Sequence, residues 1–114
     1  MTRQPIEGGM WFDRDSAITF DESTWWDGSN LISGATGSQW EHESLWYTRQ
    51  GRWVLHTYSQ WQGSPEMWQE IDAADAARWL VAQRATDDPE DSGLAELPAA
   101  VQEDIMGHTR GLEV

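Results

Sequence analysis

The chain has 114 residues, nine tryptophans, no cysteine and a formal net charge of −13, its 20 acidic side chains facing seven basic ones that are all arginine. That length makes one domain with a modest core, and the missing cysteine excludes disulfides and thiolate metal centres. No apolar run approaches the roughly 18 residues of a membrane span, and the negative field disfavours nucleic acid while favouring a basic protein partner.

Residues 1–9 are polar, end in Gly8-Gly9 and read as a flexible leader. Met1-Thr2-Arg3-Gln4-Pro5 has no apolar stretch of the signal-peptide kind, so the expected location is cytoplasmic. A single domain is expected over residues 10–84. Met10 to Phe20 reads as strand on the strength of Phe12 and Ala17-Ile18-Thr19-Phe20, although Asp15-Ser16 equally suits the cap of a short helix. Trp26-Asp27-Gly28-Ser29-Asn30 predicts a turn, Asn30 to Ser33 a short strand, and Ser33-Gly34-Ala35-Thr36-Gly37 another turn.

The clearest element is a hairpin of Glu41–Thr48 and Arg52–Trp61, joined by Arg49-Gln50-Gly51 with the glycine in the left-handed position. That three-residue loop sets Leu45 opposite Leu55 and Tyr47 opposite Trp53 on one face. On the other face Trp46 meets Val54, Ser44 meets His56 and His42 meets Tyr58. A two-residue Gln50-Gly51 turn instead shifts every pair by one. Gly63-Ser64-Pro65 then turns the chain into a last strand, Met67 to Ile71.

Asp72 caps a helix that runs through Arg84, with Asp75 three positions on as a weak capping box. Ala73, Ala76, Ala77 and Leu80 recur at helical spacing and lay that helix on a sheet face. Residues 85–96 hold Thr86-Asp87-Asp88-Pro89-Glu90-Asp91-Ser92-Gly93 and read as an acidic linker. A short amphipathic helix over 97–107 follows, with Leu97, Val101 and Ile105 four apart and Gly107 as its end. The expected fold is therefore α+β, an antiparallel meander of four to five strands packed on one helix, with a short C-terminal helix after the linker.

Nine indoles are more than so small an interior holds, so most fill the core and a few line a surface. Ser38-Gln39-Trp40 and Ser59-Gln60-Trp61 are a short internal repeat at the open end of the hairpin, with Gln39 facing Trp61 and Gln60 facing Trp40. Such amide-on-indole pairs either fix the hairpin base or present a patch for a peptide or sugar.

His42 and His56 share a face in this register with Ser44, Tyr58 and Gln60. Two imidazoles flanking a phosphate serve as base and acid in metal-independent RNA cleavage, with Tyr58 or Arg52 steadying the phosphate. The competing reading is a set of partly buried, hydrogen-bonded structural side chains. Glu41-His42-Glu43 and His56 offer nitrogen and oxygen donors, but the glutamates point away from His42 along a strand, so no metal site is predicted. His108 lies in the tail and joins neither group. Gly34-Ala35-Thr36-Gly37 lacks the lysine of a phosphate loop, no serine sits in a nucleophile elbow, and no cofactor is expected.

The runs Ala35-Thr36-Gly37-Ser38-Gln39-Trp40-Glu41-His42-Glu43, Gly51-Arg52-Trp53-Val54-Leu55-His56, Ser59-Gln60-Trp61-Gln62-Gly63-Ser64, Glu70-Ile71 and Ala76-Ala77-Arg78-Trp79-Leu80 resemble a set of small uncharacterised bacterial proteins. The resemblance covers about residues 11–83. It implies a compact bacterial domain and supplies no activity.

The function expected from the residues is that of a noncatalytic, acidic, tryptophan-rich interaction protein that binds or inhibits a basic protein, in a regulatory, antitoxin-like or mobile-element accessory role. Its contact residues are expected among Trp40, Trp61, Gln39 and Gln60, and on Leu97, Val101 and Ile105 of the tail helix. A small metal-independent hydrolase or ribonuclease using His42 and His56 is the alternative, and a glycan- or peptide-binding module a further one.

Overall fold

Alternating aromatic and β-branched side chains build the centre of the molecule. In the computed structural model, which describes residues 1–61, 63 and 65–114, they form one four-stranded antiparallel sheet. Its strands are β3 (Ile18–Asp21), β6 (Glu41–Tyr47), β7 (Trp53–Ser59) and β8 (Met67–Ile71), side by side in that order. Two small hairpins flank it, β1 (Arg3–Ile6) with β2 (Met10–Asp13), and β4 (Thr24–Trp26) with β5 (Leu31–Ser33). Three helices follow, α1 (Ala73–Ala82), α2 (Pro89–Ser92) and α3 (Ala99–Arg110). The architecture is α+β with an open sheet, and no helix among the described residues is long and apolar enough to cross a membrane.

The central register follows from its loop. Thr48 and Arg52 close the β6–β7 turn, the Thr48 N–H donating to the Arg52 carbonyl at 2.8 Å, and Gly51 takes φ +81°. A side chain there is strained, so glycine fixes a three-residue loop. Leu45 pairs with Leu55, Tyr47 with Trp53, Trp46 with Val54, Ser44 with His56 and His42 with Tyr58. The two-residue alternative, which shifts all these pairs, is thereby set aside.

Period-two alternation sends the two sets of side chains to opposite faces, and each face has its own cover. Phe20, Leu45 and Trp53 pack against Ala76, Ala77, Trp79 and Leu80 of α1 and against Leu94, Leu97 and Ile105 further on. Val54 and Trp68 on the opposite face pack against Phe12 of β2, with Ile6 and Trp46 alongside. Asp72 caps α1, its carboxylate accepting from the Asp75 N–H at 2.8 Å.

Four expectations are corrected here. Residues 1–9 do not form a loose leader: Gly8 and Gly9, at φ +88° and +77°, turn β1 back onto β2, Arg3 lies over the Trp11 ring, and the Glu7 N–H donates to the Trp68 carbonyl at 2.9 Å. Asp15 and Ser16 lie in a single 3-10 turn, Arg14–Ser16, between β2 and β3, capped by Asp13 rather than by themselves. The stretch 85–96 is not a bare linker, because α2 and a 3-10 turn at Leu94–Glu96 bring Ala85 and Leu94 into the core. The tail helix starts at Ala99 and passes through Gly107 to Arg110, since a single exposed glycine weakens a helix without ending it. The expected turn at Gly63-Ser64-Pro65 falls partly outside the described residues.

Candidate functional site

Glu22, one residue past β3, is the pivot of the polar side of the sheet. Its carboxylate meets His42 Nδ1 at 2.5 Å, accepts the Glu43 N–H at 3.0 Å and accepts the Ser33 hydroxyl. Both side chains are largely buried, with exposures of 13% for His42 and 9% for Glu22. The far nitrogen, His42 Nε2, is buried and has no hydrogen-bond partner among the described residues.

His56 is two strand positions from Tyr58 and is held as one layer of an aromatic stack. Its ring lies 3.7 Å from that of Trp68 at 9° and 4.6 Å from that of Tyr58 at 24°, and Tyr58 in turn lies 5.5 Å from His42. Glu66 approaches His56 Nε2 at 3.1 Å and also accepts the Trp68 indole N–H at 3.3 Å. Ser44 Oγ stands 3.5 Å from His56 Nδ1 and accepts the Trp46 indole N–H at 3.0 Å. Burial pulls the His56 pKa below the usual histidine value, with Glu66 working against that shift, while burial and then Glu22 and Asp21 push the Tyr58 phenol up.

The structure thus brings His42, Ser44, His56 and Tyr58 onto one face, as the register implies, without aiming two imidazole nitrogens at one open space. Tyr58 stands between the two rings. One Nε2 is enclosed and the other is engaged by Glu66. Cavities of about 470 and 400 Å³ lie elsewhere, at the turn end of the hairpin on either side of Arg52 and Glu70. Glu43 points to the helix face, where it accepts the Trp79 indole N–H at 3.0 Å, so it cannot join His42 around an ion.

The indole surface is built differently. Trp11, Trp25, Trp26, Trp40 and Trp61 are 46, 54, 65, 41 and 59% exposed. Trp25 and Trp26 face opposite ways on β4, and both reach solvent because β4 and β5 form a two-stranded sheet of their own. Trp40 and Trp61 lie ring to ring at the open end of β6–β7, centroids 4.8 Å apart and tilted by 40°. The Gln60 N–H donates to the Trp40 carbonyl at 2.9 Å, which continues the expected pairing. The cross-strand side-chain contact is nevertheless indole on indole, in a stretch that lies beyond the last ladder pair, Glu41 with Ser59. Gln39 is half-buried and Gln60 exposed.

The tail residues take another role. Leu97 and Ile105 are 3 and 0% exposed and belong to the core, with Val101 packed at its margin, so they hold the chain's own helices together and are not a free docking stripe. Sequence reasoning gave no role to Glu22, Glu66 or Trp68 as partners of the imidazoles, or to Ser33 as a partner of Glu22. No motif spacing links Glu22 to His42, and only the β3–β6 register does, by pairing Asp21 with Ser44. No protein-family model, no curated protein and no solved structure matches this chain.

Proposed function

We propose that the protein is a noncatalytic, cytoplasmic interaction module that binds a basic protein partner in a regulatory or inhibitory role, as antitoxins and mobile-element accessory proteins do. The exposure of five of the nine tryptophans carries this reading, with Trp40 and Trp61 lying ring to ring, because grouped apolar rings left in water mark contact surfaces. Most carboxylates share the exposed surface with them: every Asp and Glu except Asp13, Glu22, Glu43 and Glu70 is exposed. A cationic surface gains Coulomb attraction and indole contact from such a face, while phosphate is repelled.

The hydrolase alternative needs an imidazole nitrogen that reaches a substrate. His42 Nε2 is enclosed and His56 Nε2 is held by Glu66, so no observation lifts this alternative above the first. The test is capture from host lysate at low and high salt, beside a variant in which Asp87, Asp88, Glu90 and Asp91 are replaced by their amides. A basic protein retained in stoichiometric amount, released by salt and lost from the variant, supports the reading. Retention of no basic protein at low salt overturns it.

A further inference from the structure

The Ser-Gln-Trp repeat has a structural meaning that the amide-on-indole expectation does not contain. Ser38 Oγ accepts the Trp40 N–H at 3.0 Å and the Glu41 N–H at 3.2 Å. Ser59 Oγ accepts the Trp61 N–H at 3.1 Å. Each serine therefore folds a local turn that sets the backbone of the tryptophan two residues on, and the Gln60-to-Trp40 backbone bond locks the two turns together. The backbones that carry the two rings are thus set, and the rings lie against each other, before any partner arrives, which lowers the ordering cost of binding.

Elsewhere this chain shows what its indoles accept. Arg3 places its guanidinium carbon 4.7 Å from the Trp11 ring centroid, and Arg14 stands 5.6 Å from the rings of both Trp46 and Trp68. Among the described residues no such cation covers Trp40 or Trp61. The charge pattern explains why. No arginine occurs between Asp15 and Thr48 or between Trp53 and Ala77, so the hairpin carries Arg49 and Arg52 at its turn and only acidic charge, Glu41, at its open end. Seven strand residues, on the order of 20 Å, separate the two ends.

We infer that the Trp40–Trp61 pair is a stacking platform for an arginine side chain of the basic partner, with the exposed Glu41 as its neighbouring countercharge. This rests on the interaction-module reading and names the group that the module receives. A guanidinium fits better than an ammonium because its plane stacks on an indole face while its edge remains free for a carboxylate.

The experiment titrates the full chain with a blocked peptide of alternating arginine and glycine, and with its citrulline counterpart, which keeps the shape and removes the charge. Indole N–H resonances in nitrogen-15 spectra at low ionic strength are the readout. Expected are shifts confined mainly to Trp40 and Trp61, loss of the response with citrulline, and affinity about threefold to fivefold weaker in Trp61→Leu, with Trp61→Phe intermediate. Leu112→Ala, which removes an exposed apolar side chain beyond α3, leaves the affinity unchanged. Equal binding of the arginine peptide to Trp61→Leu and to the parent overturns the platform and leaves the cationic-partner reading standing. Equal shifts with citrulline, or with a neutral oligosaccharide, overturn the arginine assignment. Failure of the arginine peptide to bind at all overturns both.

Discussion

Glu22 and His42, twenty positions apart in the chain, meet carboxylate to imidazole at 2.5 Å and join the end of β3 to the start of β6. The same carboxylate also takes a hydroxyl from Ser33 and an N–H from Glu43, so three groups from two strands, β5 and β6, converge on one side chain. Removing it leaves several buried polar groups unpaired together. Glu22→Ala is expected to destabilise the fold by about 3 kcal/mol, and Glu22→Gln, which retains an acceptor for Glu43, by about half as much. Urea unfolding of the two variants measures this, and a Glu22→Ala loss under about 1 kcal/mol would show that the convergence is incidental.

Burial between Trp68 and Tyr58 lowers the His56 pKa below the ordinary histidine value, and Glu66 partly offsets the shift. A histidine with a folded pKa below its unfolded one binds fewer protons in the native state. Its contribution is therefore complete above pH 6.5 and is lost as pH falls through the folded value. Folding stability of the parent should fall between neutral pH and pH 5 more steeply than that of His56→Phe, which keeps a ring on Trp68 and cannot titrate. Glu66→Gln should steepen the fall, because the opposing carboxylate is gone. Parallel pH profiles for parent and His56→Phe would refute the assignment of this slope to His56.

The central hairpin was legible because it is decided locally. Gly51 at a left-handed position and two runs of alternating side chains determine the loop, the loop determines the register, and the register puts His42, Ser44, His56 and Tyr58 on one face. The partners of those residues were not legible, since Glu22 and Glu66 reach the imidazoles from segments outside the hairpin. The N-terminus misled for a related reason. Gly8-Gly9 looks like the end of a tail, but the same pair suits a hairpin turn, and only the Val54 and Trp68 surface of the sheet, which Phe12 and Ile6 cover, distinguishes the two. Composition misled in residues 85–96, where exposed acids outnumber the single leucine that anchors the segment.

That anchor makes the C-terminal segment structural. Ile105 is fully buried, and Leu94 and Leu97 are 2 and 3% exposed, all in one cluster with Leu80 and Trp79 of α1. Ile105→Ala should cost about 2 to 4 kcal/mol through lost burial and the cavity left behind. A chain ending at Arg84 should lose its cooperative thermal transition, because the outer face of α1 is then uncovered. Retention of the parent melting temperature in the shortened chain would show that the tail is dispensable to the fold.

The end of α1 offers the opposite kind of test. Arg84 is the one described residue other than glycine with positive φ, at +60°, and it sits where the helix turns back. The Ala85 N–H donates to the Leu80 carbonyl at 2.9 Å, and the Arg84 N–H donates to that of Val81 at 3.0 Å, so the geometry is a left-handed helix cap with arginine where glycine is preferred. Gln83 is held there by its own side chain, whose oxygen accepts both the Ser23 N–H and the Ser23 hydroxyl at 2.8 and 2.9 Å, tying the cap to the β3–β4 connection. The conformation of Arg84 is therefore imposed by its neighbours rather than chosen by its side chain, and Arg84 is exposed, with little packing to lose. Arg84→Gly should relieve the left-handed strain and stabilise the protein by about 0.5 to 1 kcal/mol, after the larger entropy of glycine in the unfolded chain is set against it. Arg84→Ala, which keeps the Cβ and removes only the guanidinium, should give no such gain. Equal stability changes for the two variants in urea unfolding would place the effect in the charge of Arg84 and not in its backbone.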